Sequence, residues 1–185
     1  MSQSTVDILV AIDVESILSD HKNLSKDPEN PTKIDGKYFY YITTQHQTYS
    51  PSYNASEKLQ IKGRVGDIVR WRTTSLTAQF DYQVFLYQMH TKNQSFISTP
   101  SFKPEISDVA APSKNSSSID NEIYPIESSE IQNSYHEATL VASGEVEYTW
   151  YISIYNRWEG LGEPDEGLLG YCTYISDDAV INIHN

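Results

Sequence analysis

The residue types that most often perform chemistry are all present, but their spacing predicts no reaction. None of the histidines sits in a metal-ligand spacing such as H-x-x-x-H with a nearby acid. It also lacks a Gly-x-Ser-x-Gly turn, a phosphate-binding loop and a dinucleotide-binding glycine pattern. We therefore predict that the protein is not an enzyme and has no catalytic residue, metal site or cofactor. The five histidines of the chain are His21, His46, His90, His136 and His184.

Two acidic segments near the carboxyl end contain possible oxygen ligands for calcium. One is the loop EGLGEPDE at Glu159–Glu166, and the other is the pair Asp177–Asp178. The loop lacks the D-x-D-x-D-G order of an EF-hand. Solvated loop acids are the simpler interpretation, and a calcium site is the alternative.

Aromatic residues form the main candidate for a working surface. The chain has 14 tyrosines, and three of them lie together with Trp150 in the segment EYTWYISIY. If Trp150 faces a core, Tyr151 and Tyr155 face outward, because neighbouring strand residues point to opposite sides. Three interpretations stay open: a covering layer, a self-association surface, or stacking on sugar rings. The candidate surface comprises Tyr151, Tyr155, Trp158 and Tyr174.

The charge balance argues against several classes of partner. With 25 acidic and 13 basic side chains, the net charge is −12. Nucleic acids and anionic membranes both need a concentrated basic surface, so we expect neither as a partner. We find no signal peptide and no apolar stretch long enough to span a bilayer, and therefore expect a cytoplasmic protein. The single cysteine, Cys172, lies in an apolar strand pattern and is interpreted as a small buried hydrophobe.

The elements that position these residues are short strands. The segment Val65–Tyr87 alternates apolar and polar residues on both sides of a polar connection, which predicts an antiparallel hairpin with one buried face. The segment VESIL at Val14–Leu18 is expected to form one helical turn. Further strands are predicted at Asp7–Asp13, Tyr38–Thr43, Leu59–Lys62, His136–Ser143, Glu147–Tyr155, Leu168–Ile175 and Val180–Ile183.

Many short strands separated by turn signals predict an all-β fold. We expect one domain over residues 1–185, built as an antiparallel, jelly-roll-like β-sandwich with at most short helical turns. Residues 99–133 interrupt the pattern, because they are rich in Ser and Pro, acidic and weakly periodic. A long surface loop is the expected structure there, with a lid or an assembly arm as alternatives.

Three sequence blocks together resemble the AidA/PixA family of bacterial inclusion-body proteins. The first is DILVAIDVESIL with NPTKIDGKYFYYIT, and the second is GRVGDIVRWRTTSLTAQFDYQVFLY. The third is EYTWYISIYNR, continued by LLGYCTYISDDAVINI. The likeness covers nearly the whole chain except residues 99–133. The family's namesake is rich in methionine, whereas this chain has only 2, so a role in sulfur storage is not expected.

The resemblance implies a non-catalytic protein whose main partner is itself. Some members of the family accumulate as crystalline inclusions in the cytoplasm late in growth, and others are linked to interaction with a host. It implies no catalytic residues to transfer to this chain. The alternative hypothesis is a lectin-like β-sandwich that binds carbohydrate, with calcium as a possible aid.

Overall fold

A computed structural model of the protein describes residues 3–77, 81–113, 126–156, 167–174 and 179–185. These residues form thirteen strands and one α-helix, α1 (Val14–Asp20), with short 3-10 turns at Gly36–Tyr38, Pro51–Tyr53 and Gln94–Phe96. The strands are β1 (Thr5–Ile12), β2 (Thr32–Ile34), β3 (Phe39–Ile42), β4 (Gln60–Arg64), β5 (Ile68–Ser75), β6 (Tyr82–Thr91), β7 (Ser101–Lys103), β8 (Ile106–Pro112), β9 (Ile126–Gln132), β10 (Tyr135–Thr139), β11 (Gly144–Asn156), β12 (Leu168–Tyr174) and β13 (Ala179–His184).

Two sheets contain eleven of these strands. Sheet A has the order β3-β1-β5-β10-β7. Sheet B is built around β11, which pairs with β6 along one edge. The other edge of β11 is shared, with β13 beside its first half and β12 beside its second half. Strands β4 and β2 extend the sheet beyond β13 and β12.

The expectation of an all-β, sandwich-like fold is confirmed, but the sheets are mixed. Strand β1 runs parallel to β5, β2 to β12 and β4 to β13, whereas the other pairings are antiparallel. Parallel neighbours require the chain to cross over between strands, so they join segments that are far apart in sequence. Period-two alternation does not depend on strand direction, and the sequence pattern therefore could not reveal these pairings.

Aromatic side chains join the two sheets in the core. Trp71 of sheet A lies 5.6 Å from both Tyr148 and Trp150 of sheet B, measured between ring centroids. Tyr41 and Tyr174 meet across the same interface, with their hydroxyl oxygens 3.1 Å apart. All five residues are buried. Rings that meet edge to face add a directional contribution to the apolar burial that holds the sheets together.

The predicted hairpin at Val65–Tyr87 is wrong, although both of its strands exist. Strand β5 is flanked by β1 and β10, so both of its edges are already occupied in sheet A. Strand β6 instead pairs with β11 in sheet B. The connection thus links the two sheets, and residues 78–80 within it lie outside the described residues. A hairpin and a link between sheets bury alternate residues in the same way, which is why the pattern did not separate them.

Residues 99–133 also differ from the expected irregular loop. Strand β7 adds to the edge of sheet A. Strands β8 and β9 pair antiparallel with each other and form a separate two-stranded sheet. We call the β8–β9 hairpin the arm. Residues 114–125 lie outside the described part of the chain.

The predicted helical turn is confirmed and extends to Asp20 as α1. The Asp13 carboxylate caps its amino end by accepting a hydrogen bond from the Ser16 N–H at 3.1 Å. Val14 and Ile17 are buried, so the helix is held against the core by its apolar face.

Candidate interaction surface

The outer side of sheet B presents a group of aromatic side chains. In β11 the side chains of Trp150, Ile152 and Ile154 are buried. Tyr151 and Tyr155 occupy alternate positions and therefore point away from the core. Neighbouring strands place further rings beside them. We call this group the aromatic face; its members are Phe85 and Tyr87 of β6, Tyr151 and Tyr155 of β11, and Tyr171 of β12.

Strand register determines the arrangement of these rings. Ser153 of β11 stands opposite Phe85 on one side and Tyr171 on the other, so these residues form a row across three strands. A register shift in the β6–β11 pairing lies between Tyr151 and Ile152, opposite Tyr87. Such a bulge re-aims a side chain locally. Small Ser153 is buried at the centre of the row, which shows how closely the larger rings surround it.

Edge-to-face contacts link the rings of the aromatic face. Ring centroids lie 5.6 Å apart for Phe85 and Tyr155, and 6.0 Å apart for Tyr87 and Tyr151. Tyr87 also meets Tyr171 at 5.2 Å. All three distances fall in the range of favourable aromatic pairs. The rings therefore support one another and form a preorganised surface.

The aromatic face is only partly covered. Burial raises the pKa of the Tyr87 hydroxyl, and the neighbouring Tyr151 and Tyr171 raise it further. That hydroxyl donates to the Pro28 carbonyl oxygen at 2.8 Å, so a loop covers one end of the face. Phe85 keeps 50% of its surface exposed. A large ring left in water beside further rings is typical of an interaction surface.

The structure places only part of the predicted surface together. Tyr151 and Tyr155 lie on the aromatic face as expected. Tyr174 does not, because it is only 2% exposed and packs on Phe39 with ring centroids 4.6 Å apart. It shares its side of β12 with buried Cys172, two residues away, and period two assigns both to the core. Trp158 lies outside the described residues, as do Glu159–Glu166 and Asp177–Asp178.

Sequence reasoning missed Phe85, Tyr87 and Tyr171. A signal was present, because Phe85 and Tyr87 alternate with Val84 and Leu86 in the same segment. If the apolar pair fills the core, the aromatic pair must face outward. Their closeness to Tyr151 and Tyr155 depends on the pairing of β6 with β11, which local alternation does not specify.

Other kinds of site find little support among the described residues. In that part of the chain no three histidine, cysteine or acidic side chains are grouped so that they could hold a metal ion. Nor does any helix in it have the length and apolarity needed to cross a membrane. Cys172 is buried, and burial raises the pKa of its thiol to about 12, so the thiolate is scarce at neutral pH.

Comparison with known proteins identifies the family. The family model described as PixA, inclusion body protein, matches residues 4–183. No curated protein matches the sequence. A crystal structure of an inclusion body protein (PixA) from Burkholderia cenocepacia J2315 is similar, with 18% sequence identity and a TM-score of 0.71. That similarity covers 100% of this chain and 98% of the other, and it supports the same fold. The family match extends over nearly the whole sequence, and the chain therefore belongs to the PixA family of inclusion body proteins.

Proposed function

We propose that this protein self-assembles into inclusions by packing its aromatic face against other copies of itself. The observation that carries the proposal is the aromatic face on the outside of sheet B, in which two rings contact each other and three others form a second contacting group, with Phe85 half exposed. Tyrosine and phenylalanine are enriched where proteins bury surface against each other. Burying rings that already support one another also costs little side-chain ordering.

The rest of the proposal concerns the role of the inclusions. We expect a non-catalytic protein that accumulates in cytoplasmic crystalline inclusions late in growth and serves storage or interaction with a host. Its support is the family description together with a sequence that contains no recognisable catalytic pattern. Electron microscopy of producing cells through the growth curve tests both place and timing, and membrane-bound or early, dispersed protein contradicts it.

A pair of matched variants tests the aromatic face. Phe85→Ser removes an exposed ring from the face, and we expect a lower yield of sedimentable protein and fewer inclusions. Tyr49→Ser is the control, because Tyr49 is similarly exposed, at 58%, but lies between β3 and β4, outside the aromatic face. Sedimentation velocity on both variants measures the effect. Equal losses in the two variants, or no loss in either, contradict the proposal.

Carbohydrate binding is the second candidate function. The observation that favours it is the same exposed ring set, because flat aromatic surfaces stack on sugar rings. A glycan array probed with and without calcium distinguishes the two functions. Binding that disappears in Phe85→Ser favours the lectin, whereas arrays that stay blank under both conditions exclude it.

A further inference from the structure

The arm extends from sheet A with both of its strands largely exposed. Its strands pair only with each other, from Ile106 opposite Gln132 to Pro112 opposite Ile126. The isoleucines at the two ends of this ladder, Ile106 and Ile126, are 68% and 61% exposed. A lone two-stranded hairpin is at best marginally stable in water. Exposed isoleucines on such a hairpin indicate that another surface covers it.

The base of the arm is firmly attached. The Asn133 N–H donates to the Glu105 carbonyl oxygen at 2.8 Å and closes the base of the hairpin. Arg72, on β5 of sheet A, donates from Nη1 to the Asn133 side-chain oxygen at 2.7 Å. The arm therefore leaves the body in a defined direction.

One face of the arm carries a like-charge pair. Asp108 and Glu130 stand directly opposite each other in the ladder, which places them on the same face. Ile106 and Ile126 share that face, because each is an even number of residues from its charged neighbour. Like charges directly opposite one another destabilise a hairpin unless a cation joins them. No basic residue occurs in 104–113 or 126–133, so within the described strands of the arm no lysine or arginine pairs with these two acids.

A basic groove lies on the body, away from the arm. Along β4, buried and exposed residues alternate: Ile61 and Gly63 are buried, and Lys62 and Arg64 are exposed. Both basic side chains therefore leave the strand on the same side. The groove beside them has a volume of about 830 Å³. It is also lined by His46 and His184. In a protein with a net charge of −12, a groove of this kind attracts acidic surfaces.

One acidic side chain in this groove is held by the backbone. Asp67 lines the same groove, and its carboxylate accepts hydrogen bonds from the Ser4 and Arg64 N–H groups, both at 2.9 Å. The ion pairs found among the described residues involve other lysines and arginines: Lys37–Asp20, Arg70–Glu137 and Lys92–Glu147. Lys62 and Arg64 take part in none of these ion pairs.

We propose that the arm of one copy docks into the basic groove of a second copy, with Asp108 and Glu130 facing Lys62 and Arg64. The spacings match, because residues two apart on a strand are separated by about 6.6 Å and opposite residues on a hairpin by about 5 Å. Among the residues that line the groove, none belongs to the described strands of the arm, and we therefore assign the contact to two copies. It also places Ile106 and Ile126 in the interface.

This inference rests on the proposed function and adds the direction of growth. An aromatic face that packs on the same face of another copy is isologous, and such a contact closes at a dimer. The arm and the groove are different surfaces, so their contact is heterologous and continues from copy to copy. Dimers joined through the aromatic face need a second, different contact to grow into an inclusion, and the arm and the groove supply one.

Charge reversal tests the arm and the groove separately. The arm variant is Asp108→Lys with Glu130→Lys, and the groove variant is Lys62→Glu with Arg64→Glu. Each variant alone meets like charge, and we expect self-association about tenfold weaker or more, measured by sedimentation. When the two variants are mixed, each reversed arm finds a reversed groove and each native arm a native groove. We expect the mixture to recover assembly as an alternating chain.

The control has the same charge change as the groove variant at a distant site. Lys22→Glu with Lys33→Glu alters two exposed lysines near α1 and β2, and we expect it to assemble like the natural sequence. Circular dichroism confirms that each variant is folded. If the natural protein assembles but both reversed variants match this control, or if mixing restores nothing, the arm–groove contact is overturned while the proposed function stands. If the natural protein stays monomeric at every concentration, the proposed function is overturned as well.

Discussion

Trp71 is the residue that most directly joins the two sheets. It is fully buried, and its ring meets Tyr148 and Trp150 of the opposite sheet. Replacing it with alanine removes these contacts and leaves a large cavity. We expect Trp71→Ala to lower the free energy of unfolding by about 3–5 kcal/mol, measured by urea denaturation. Phe102→Ala is the control, and an equally small loss in both variants contradicts the assigned core.

Cys172 provides a second test at the scale of single residues. The thiol is buried, and burial raises its pKa to about 12, so both access and ionisation oppose reaction. We expect no reaction with a thiol-specific reagent at pH 8 in the folded protein, and full reaction in denaturant. Rapid labelling of the folded protein is the result that excludes a buried thiol.

At the scale of elements, the turn between β4 and β5 depends on one carboxylate. Asp67 accepts hydrogen bonds from the N–H groups of Ser4 and Arg64, both at 2.9 Å, and so ties the turn to the start of β1. Hydrogen bonds to a charged, buried acceptor are stronger than neutral ones. We expect Asp67→Ala to cost about 2–3 kcal/mol of unfolding free energy. Asp67→Asn keeps one acceptor oxygen, so we expect it to lose less stability than Asp67→Ala. Thermal melting of both variants measures which of them is less stable.

The sequence predicted the positions of individual strands better than it predicted which strands pair with each other. The alternation around Trp150 correctly placed Tyr151 and Tyr155 outside the core, because side-chain direction follows from local backbone geometry. The same rule applied to Leu168–Ile175 would have assigned Tyr174 to the core with Cys172. The hairpin at Val65–Tyr87 failed for a different reason, since alternation does not reveal which strand lies alongside. The arm was missed because none of its strand residues is buried and its sequence carries no clear apolar period.

At the scale of the whole molecule, charge opposes assembly. The sequence has an isoelectric point of about 4.7 and a net charge of −12 at pH 7. Between pH 4.7 and pH 7 the carboxyl groups, with a reference pKa of about 4, become more fully ionised, so repulsion between copies grows. We expect inclusions to be least soluble near pH 4.7 and to dissolve as the pH rises into the alkaline range. Light scattering during a pH titration measures this, and inclusions that persist into the alkaline range contradict the mechanism.

The sequence by itself determined the fold class, most strand positions, the family and the negative charge. Each of these follows from local alternation, composition or short blocks of residues. Only the tertiary structure decided that β6 lies beside β11, which brings five rings together, and that the arm stands apart from the groove at Lys62 and Arg64. The physical reason is that strand pairing joins residues that are far apart in the sequence. Thr5 pairs with Ile68, and Lys62 pairs with Asn182. The free energy of such contacts depends on the whole packed core.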